Sequence, residues 1–187
     1  MPELDNILET QRFADGSAEP ARSGPLAAWR YRLAVTQHHG GVHRMARALL
    51  GNGAEAEDVT QETFIRYWQQ GAAVRRPREW LMKVARNACL DRLRKAGRFM
   101  SDDNEEHMER PDDRDPAWHY EQRELAAQLQ SAIETLTEPQ RSLVVLFDVQ
   151  GMSVNECARI VGLNVNQVKV YLHRARRRLR LKLEEAK

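Results

Sequence analysis

The stretch SVNECARIVGLNVNQVKVYLHRARRR, residues 153–178, decides the fold of the C-terminal part of this chain. Ser153, followed three residues later by Glu156, is typical of a capping box at the start of a helix. Gly162 can adopt the positive φ at which helices often end, and Asn164 can cap a second helix. Beyond Asn164 the apolar residues recur at intervals of three and four, which predicts one long amphipathic helix. Two helices joined by such a turn form a helix-turn-helix.

The second helix has a polar face opposite its apolar stripe. Along the chain, this face begins with amide side chains and continues with cationic ones. It holds Asn166, Gln167, Val170, Tyr171, Arg174, Arg177 and Arg178. In a helix-turn-helix, the first residues of the second helix meet base edges, and flanking cations hold phosphates. A solvated basic surface would explain the charges alone, but their position after a helix-turn-helix favours DNA binding.

Charge is distributed unevenly along the 187 residues, whose net charge is only +2. Residues 101–116 hold eight acids and two bases, a charge of −6, which leaves +8 for the rest of the chain. That stretch has too little apolar surface to offset the entropy of ordering, so we expect a flexible acidic linker over 98–116. The chain is therefore two basic blocks joined by an acidic segment.

Several classes of protein are disfavoured by composition. The two cysteines, Cys89 and Cys157, lie inside helical patterns without metal-type spacing, so neither a disulfide framework nor a metal site is expected. The three histidines at 38, 39 and 43 are read as surface residues, because Gly40 and Gly41 between them should interrupt the helix. No apolar span of membrane length and no signal peptide is present, so we expect a cytoplasmic protein without membrane insertion or cofactor.

The first block predicts three helices. Residues 26–50 form the first, interrupted at Gly40-Gly41, and Gly51-Asn52-Gly53 ends it. Residues 54–70 form the second, with an apolar face that includes Phe64, Tyr67 and Trp68. Its opposite face carries Asp58, Gln61 and Glu62. These acids are either solvated surface or a docking site for a basic partner.

A third, basic helix is predicted over 79–95, EWLMKVARNACLDRLRK. Its polar side includes Lys83, Arg86 and Asn87. Asn87 is either a plain surface amide or a group that reads a base. No strand-like alternation occurs, so the fold class is all-α, with two small helical domains joined by the linker. The predicted division is an N-terminal arm (1–25), a first domain (26–97), the linker (98–116) and a helix-turn-helix domain (117–187). The arm is either disordered or a regulatory extension.

Both blocks resemble one family. AEDVTQETFIRYW followed by REWLMKVARNACLDRLRK is similar to region 2 of bacterial sigma factors, and residues 138–180 are similar to region 4. No segment long enough for region 3 lies between them, as in the extracytoplasmic-function (ECF) group. The resemblance implies an alternative sigma factor that binds core RNA polymerase and promoter DNA. In many members of the group an anti-sigma factor is a further partner.

The resemblance also implies residue roles. Asp58, Gln61 and Glu62 match positions that face the β′ clamp helices of polymerase. Asn87 matches the position that captures a flipped base of the −10 element, with Lys83, Arg86 and Asp91 around it. The −35 element is read by positions that match Asn166, Gln167, Val170, Tyr171 and Arg174. Asn166-Gln167 replaces a common Gly-Thr, and Val170-Tyr171 replaces a common Ser-Arg, so a changed −35 preference is expected.

Two other classes of function, a DNA-binding regulator and an enzyme, explain less of the sequence. A two-domain regulator that binds duplex DNA without polymerase would explain residues 153–178 but not the first block. An enzyme would need a phosphate loop, a Cys/His pair or paired carboxylates in an apolar setting, and the sequence has none of these. The expectation is therefore a protein without catalytic activity of its own.

Overall fold

The computed structural model describes residues 25–70, 73–97 and 120–185, which form helices and no strand. In chain order these are α1 (Pro25–Leu50), α2 (Gly53–Gln70), α3 (Pro77–Lys95), α4 (Tyr120–Glu134), α5 (Gln140–Val144, continued by a π-helical turn over Val145–Val149), α6 (Val154–Val161) and α7 (Val165–Glu185). The all-α prediction is confirmed. The predicted linker and the arm, except Pro25, lie outside the described residues.

The predicted interruption of the first helix at Gly40-Gly41 is wrong, because α1 is continuous through both glycines. An interior glycine costs a helix only about 1 kcal/mol, and Gly41 has a packing role. A Cβ there would lie 3.2 Å from both Gln150 Oε1 and Met82 Cε, so the missing side chain permits a close approach. The predicted stop after Leu50 is confirmed, with Gly51 at a φ of 71°.

Helices α1, α2 and α3 pack against one another through apolar stripes. Met45, Leu49, Val59, Leu81 and Ala85 are each at most 1% exposed. Burial of a side chain of the size of Val, Leu or Met contributes about 1.5–3 kcal/mol relative to exposure. These stripes fix which faces of α2 and α3 remain available to partners.

The helix-turn-helix forms as its sequence predicts. Ser153 Oγ accepts a hydrogen bond from the Glu156 N–H (3.3 Å), and Glu156 Oε2 accepts one from the Ser153 N–H (2.8 Å). The Glu156 carboxylate also accepts from the Ser153 hydroxyl at 2.7 Å, and this bond and the one from the Ser153 N–H hold its pKa below its ordinary value. Gly162 ends α6 at a φ of 78°, a left-handed conformation that suits glycine. The turn therefore holds α7 against α6.

One hydrophobic core extends across the boundary between the two predicted domains. Buried apolar side chains from α1 to α3 and from the C-terminal helices belong to one continuous cluster. Helix α3 contacts α6, and α1 contacts the π-helical turn after α5. The two blocks are therefore packed together in this structure.

Candidate nucleic-acid interface

One face of α7 is open to solvent and holds the seven residues predicted to contact the −35 element. Six of the seven are exposed, namely Asn166, Gln167, Val170, Arg174, Arg177 and Arg178. The seventh, Tyr171, is partly buried against the core. The opposite stripe of Val168, Leu172 and Ala175 is buried, so packing sets the orientation of the open face. Val170 is 49% exposed, and an apolar side chain there suits contact with a thymine methyl group.

The first turn of α7 contains a second reciprocal cap. Asn164 Oδ1 accepts from the Gln167 N–H (2.8 Å), and Gln167 Oε1 accepts from the Asn164 N–H (2.9 Å). Gln167 is therefore both a predicted base reader and the residue that closes its own helix terminus. Its Nε2H₂ group is left to face a partner, whereas its oxygen already has one.

Arg176 is held by the protein rather than presented to DNA. Its Nε donates to Asp148 Oδ2 (3.3 Å), and its Nη2 donates to the other carboxylate oxygen. The guanidinium also lies 5.1 Å from the centre of the Phe147 ring. The hydrogen bonds to Asp148 raise the pKa of Arg176. In the sequence, Arg176 is only one of several cations on this helix, because its partner Asp148 lies 28 residues away.

Helix α3 presents only part of its predicted −10 surface. Lys83, Asn87 and Asp91 are exposed, and Asp91 forms an ion pair of 2.6 Å with Arg94. Arg86, the fourth predicted residue, is only 9% exposed. Three of the four residues are therefore accessible together on one side of the helix.

Arg86 points into the contact between the two blocks. Its Nε donates to Ser142 Oγ (2.8 Å), and its Nη2 donates to Glu138 Oε2 (3.1 Å). Ser142 Oγ donates to the same carboxylate oxygen at 2.6 Å. Because these partners lie more than 50 residues away, sequence periodicity gave no sign that this cation is buried.

The predicted polymerase face of α2 is polar and accessible. Asp58 and Gln61 are exposed, and Glu62 is partly exposed. The Arg92 guanidinium of α3 lies between the two acids, 3.6 Å from Asp58 and 3.7 Å from Glu62. Glu62 also pairs with Arg66 one turn along α2. One cation thus orients both carboxylates without burying them.

Exposed apolar side chains extend the face of α2. Ile65 is 56% exposed and Trp68 is 47% exposed. Trp68 was predicted to lie on the apolar face of α2, and in the structure about half of its surface is exposed. Its ring packs edge-on against Tyr31 of α1, with centroids 5.1 Å apart, while one side stays open. An accessible surface that combines acids with large apolar groups suits a protein partner.

A cleft of about 470 Å³ lies where the connection between α2 and α3 meets α6. Four cations, one carboxylate, a ring, an amide and three apolar side chains line it: Arg75, Arg76, Lys83, Arg159, Glu79, Trp80, Gln70, Ala73, Val74 and Ile160. Glu79 pairs with Arg159 at 2.8 Å and with Arg76 at 3.5 Å. The Trp80 ring could still stack on an unstacked base, with Arg75 and Lys83 beside it to contact phosphate. The sequence signal for this cleft is the basic connection between α2 and α3, which has arginines at positions 75, 76 and 78.

The two thiols are poor candidates for chemistry at neutral pH. Burial raises the pKa of Cys89 to about 12 and that of Cys157 to about 11. His39 and His43 stack one helical turn apart, but the described ranges contain no group of three metal-ligating side chains. None of the helices in the described ranges is long and apolar enough to cross a membrane.

Comparison with known families accounts for both blocks. The family described as sigma-70 region 2 matches residues 34–99, and the family described as sigma-70, region 4 matches residues 126–179. The ECF RNA polymerase sigma factor SigL of Mycobacterium tuberculosis is 35% identical over 164 residues, which cover 82% of this chain and 89% of SigL. The chain belongs to the ECF sigma factor family. RNA polymerase and promoter DNA are the partners that its two sigma-70 regions imply.

Another relative agrees with this assignment, and two solved structures share the fold. The sigma factor is 36% identical to the ECF RNA polymerase sigma factor SigE of Mycolicibacterium smegmatis, over 78% of this chain and 58% of SigE. The structure of CnrH in complex with the cytosolic domain of CnrY has a TM-score of 0.65 at 23% identity, over 98% of this chain and 99% of that chain. The sigma factor RpoE of Bartonella quintana, solved with the anti-sigma factor NepR, also has a TM-score of 0.65, at 22% identity, over 83% of this chain and 97% of that chain. At these identities the two structures support the fold alone.

Proposed function

We propose that this sigma factor directs core RNA polymerase to promoters through three separate surfaces, one each on α2, α3 and α7. The observation that carries the proposal is the open face of α7, where exposed amides precede exposed guanidinium groups behind a capped helix-turn-helix. That order suits a helix whose start meets bases and whose continuation passes phosphates. We also propose that the acidic linker over 98–116 separates the chain into two domains, 26–97 and 117–187.

The α2 surface would contact the β′ clamp helices of polymerase. Asp58, Gln61 and Glu62 lie on one accessible side, with Ile65 and Trp68 close by. Hydrogen bonds to charged groups and a buried aromatic anchor are the usual sources of affinity at a protein interface. A clamp helix rich in Arg or Lys would add cations to those that Arg92 and Arg66 already place beside Asp58 and Glu62.

The α3 surface would capture a base of the −10 element during melting. Asn87 and Lys83 are accessible, and Trp80 and Arg76 line the adjacent cleft. Unstacking a base costs a few kcal/mol, which contacts to its edge and stacking on an aromatic ring offset. Asp91 would orient Arg94, its ion-pair partner at 2.6 Å, whereas Arg86 could reach DNA only after leaving Glu138.

The α7 surface would read the −35 element. In the capped conformation Gln167 offers an N–H donor, which suits the acceptors O6 and N7 of guanine or O4 of thymine. Bidentate pairing with adenine N6 and N7 would require Gln167 Oε1 to leave the Asn164 N–H. Asn166, Val170, Tyr171 and Arg174 would complete the reading face, and Arg177 and Arg178 would hold phosphates.

Catalysis would come from polymerase, so the sigma factor itself is proposed to have no enzymatic activity. It would act in the cytoplasm, at the chromosome, where polymerase and promoters are found. An anti-sigma factor is proposed as a further partner, because RpoE of Bartonella quintana was solved with one, NepR. The exposed acidic and apolar face of α2 is a surface that such a partner could cover.

In vitro transcription tests the proposal. Purified full-length protein is mixed with core polymerase and a library of promoter fragments, and start sites are mapped. We expect discrete start sites that need both proteins. If the protein binds duplexes but yields no transcripts with core polymerase, it is a DNA-binding regulator rather than a working sigma factor.

A further inference from the structure

The open face of α7 contains one apolar side chain, Val170, among polar and charged ones. Over residues 166–178, all of which the structure describes, the other exposed side chains are Asn166, Gln167, Lys169, His173, Arg174, Arg176, Arg177 and Arg178. Val170 is 49% exposed, whereas Val168 and Leu172, two positions to either side of it, are at most 4% exposed. Because those two residues are packed in the core, the direction of Val170 toward solvent is fixed.

The neighbours of Val170 on the surface of α7 are all polar. Side chains three and four positions apart lie beside each other on a helix, and for Val170 these are Asn166, Gln167, His173 and Arg174. Single exposed apolar residues are common on protein surfaces, but Val170 lies at the centre of the face proposed to enter the major groove. It has no apolar neighbour that would extend it into a patch, so its contact surface suits one small apolar group.

Thymine presents such a group in the major groove. Its C5-methyl is the one apolar feature there, and the other base edges offer hydrogen-bond donors and acceptors. The Val170 side chain has neither a donor nor an acceptor, so it would desolvate those polar edges without replacing their bonds to water. Against a methyl group, the same side chain buries apolar surface on both partners. Val170 therefore favours thymine at the base that it meets.

The rigidity of valine confines this contact to one place. A β-branched side chain has one strongly preferred χ1 rotamer in a helix, so the γ-methyl groups of Val170 hold a fixed position relative to the α7 backbone. That backbone is held in turn by the buried side chains of Val168, Leu172 and Ala175. We therefore expect Val170 to read the methyl group of a single base pair.

Gln167 and Arg174 indicate which base pair this is. Each lies about one helical turn from Val170, a distance of about 5.4 Å along the axis, and neighbouring base pairs are about 3.4 Å apart. The three side chains therefore reach base pairs one or two steps apart. Gln167 Nε2 suits an acceptor on a base edge, and the exposed Arg174 suits O6 and N7 of guanine. The thymine is expected between those two positions.

We propose that Val170 makes the −35 preference of this sigma factor depend on a C5-methyl group. The methyl belongs to a thymine in the base pair between those contacted by Gln167 and Arg174. Because 5-methylcytosine carries a methyl at the same ring position, it should replace this thymine better than cytosine does. The inference rests on the proposed function, since it assumes that α7 enters the major groove of the −35 element.

Removal of the methyl group from the DNA tests the proposal. Holoenzyme, formed from full-length protein and core polymerase, first selects its preferred −35 duplexes from a randomised library. Each thymine of the selected element, on either strand, is then replaced singly by deoxyuridine, which lacks the methyl and keeps every hydrogen-bonding group. Fluorescence anisotropy should show binding weakened about fourfold at one thymine, the effect of removing one buried group the size of CH₂.

A second set of duplexes adds the methyl group back. Replacement of the sensitive T·A pair by C·G should weaken binding, and 5-methylcytosine in that C·G pair should recover about fourfold in affinity. The two C·G duplexes have the same donors and acceptors, so their difference reports the methyl group alone.

Variants of the protein assign the methyl contact to Val170. Val170→Ser removes both γ-methyl groups, and serine and valine have similar helix propensities, so α7 should remain folded by circular dichroism. This variant should bind the thymine and deoxyuridine duplexes equally. Leu181→Ala is the matched control, because Leu181 is 53% exposed and lies further along α7. It should keep the wild-type difference between the two duplexes.

The outcomes separate this inference from the proposed function. Wild-type holoenzyme that is insensitive to deoxyuridine at every thymine, or that selects an element without thymine, would overturn the methyl contact. A methyl dependence that persists in Val170→Ser would also overturn it, and if that variant captures core polymerase poorly, Val170 belongs to a protein interface. In all of these cases the proposed function would stand on sequence-selective binding and on transcription with core polymerase. Failure of the proposed function would instead give a holoenzyme with no preference among duplexes and no transcripts.

Discussion

Asn164 and Gln167 each accept a hydrogen bond from the other's backbone N–H, at 2.8 and 2.9 Å. This reciprocal cap lies at the start of the helix proposed to enter the major groove. The side-chain oxygen of Gln167 is bonded within the protein, and its amide hydrogens remain available for DNA. The stability of α7 and its base preference are therefore carried by different atoms of one side chain, and substitutions can separate them.

Gln167→Ala should lose both roles, and Gln167→Glu should lose only one. A glutamate still caps α7 but has no N–H to donate to a base. We expect Gln167→Ala to lower the free energy of unfolding by about 1 kcal/mol, as cap removal does, while Gln167→Glu stays near wild type. Both should relax preference at one −35 base pair, measured by fluorescence anisotropy of holoenzyme on a duplex library. If Gln167→Glu keeps the wild-type preference, the amide hydrogens do not read a base.

Arg177 and Arg176 are adjacent arginines with different surroundings. Arg177 is exposed on α7, whereas Arg176 is bonded to Asp148. Arg177→Ala should weaken binding about equally on all sequences and reduce the slope of log K against log salt by roughly one unit. Arg176→Ala, the matched control, should leave the slope near wild type and lower the melting temperature. Equal slopes for both variants would remove Arg177 from the phosphate contacts.

The acidic face of α2 should matter for polymerase and little for folding. Replacement of Asp58, Gln61 and Glu62 together by Ala should weaken capture of core polymerase, with a stability cost of about 0.5 kcal/mol or less per site. Glu57→Ala is the control, because that acid of the same helix lies 3.7 Å from His43 of α1. A triple variant that captures core polymerase as well as Glu57→Ala does would withdraw the assignment.

Asn87 should act in promoter opening rather than in first binding. Asn87→Ala should reduce permanganate reactivity of melted thymines more than it reduces closed-complex formation. Discrimination at one −10 position should fall by about 1–3 kcal/mol, the worth of a good base contact. Asn155→Ala, an exposed asparagine of α6, is the control for loss of a surface amide. Permanganate patterns that match wild type would mean that Asn87 is an ordinary surface residue.

Glu79 of α3 accepts two hydrogen bonds from Arg159 of α6, at 2.8 and 2.9 Å, and acid should break this ion pair. Hydrogen bonds from Arg159, with a smaller contribution from Arg76, lower the pKa of Glu79 below its ordinary 4.5. A lowered carboxyl pKa stabilises the folded state above pH 4.5, and this contribution is lost as the pH falls through the folded value. Glu156, whose pKa Ser153 lowers, titrates nearby, so Glu79→Gln is needed to isolate the effect. The melting temperature of wild type should fall as the pH drops below 4.5, and Glu79→Gln should flatten that response.

Local features of this fold were predictable because their partners lie within one helical turn. The Ser153–Glu156 cap, the left-handed Gly162 and the buried stripe of α7 all follow from residues three or four positions apart. The same short range explains the error at Gly40-Gly41. A local rule treats two glycines as a break, whereas the close approach of Gln150 and Met82 gives Gly41 a place inside a continuous helix.

The sequence alone determined the family, the all-α class and which face of α7 is open, since these depend on residue order and helical periodicity. Only the tertiary structure decided what each cation does. Arg86, Arg159 and Arg176 look alike in sequence, yet each is paired with a carboxylate 28 to 80 residues away. Periodicity assigns a charged side chain to the polar side of its helix. Whether water, DNA or a buried carboxylate meets it there depends on which helix packs alongside, and that is settled only when the chain folds.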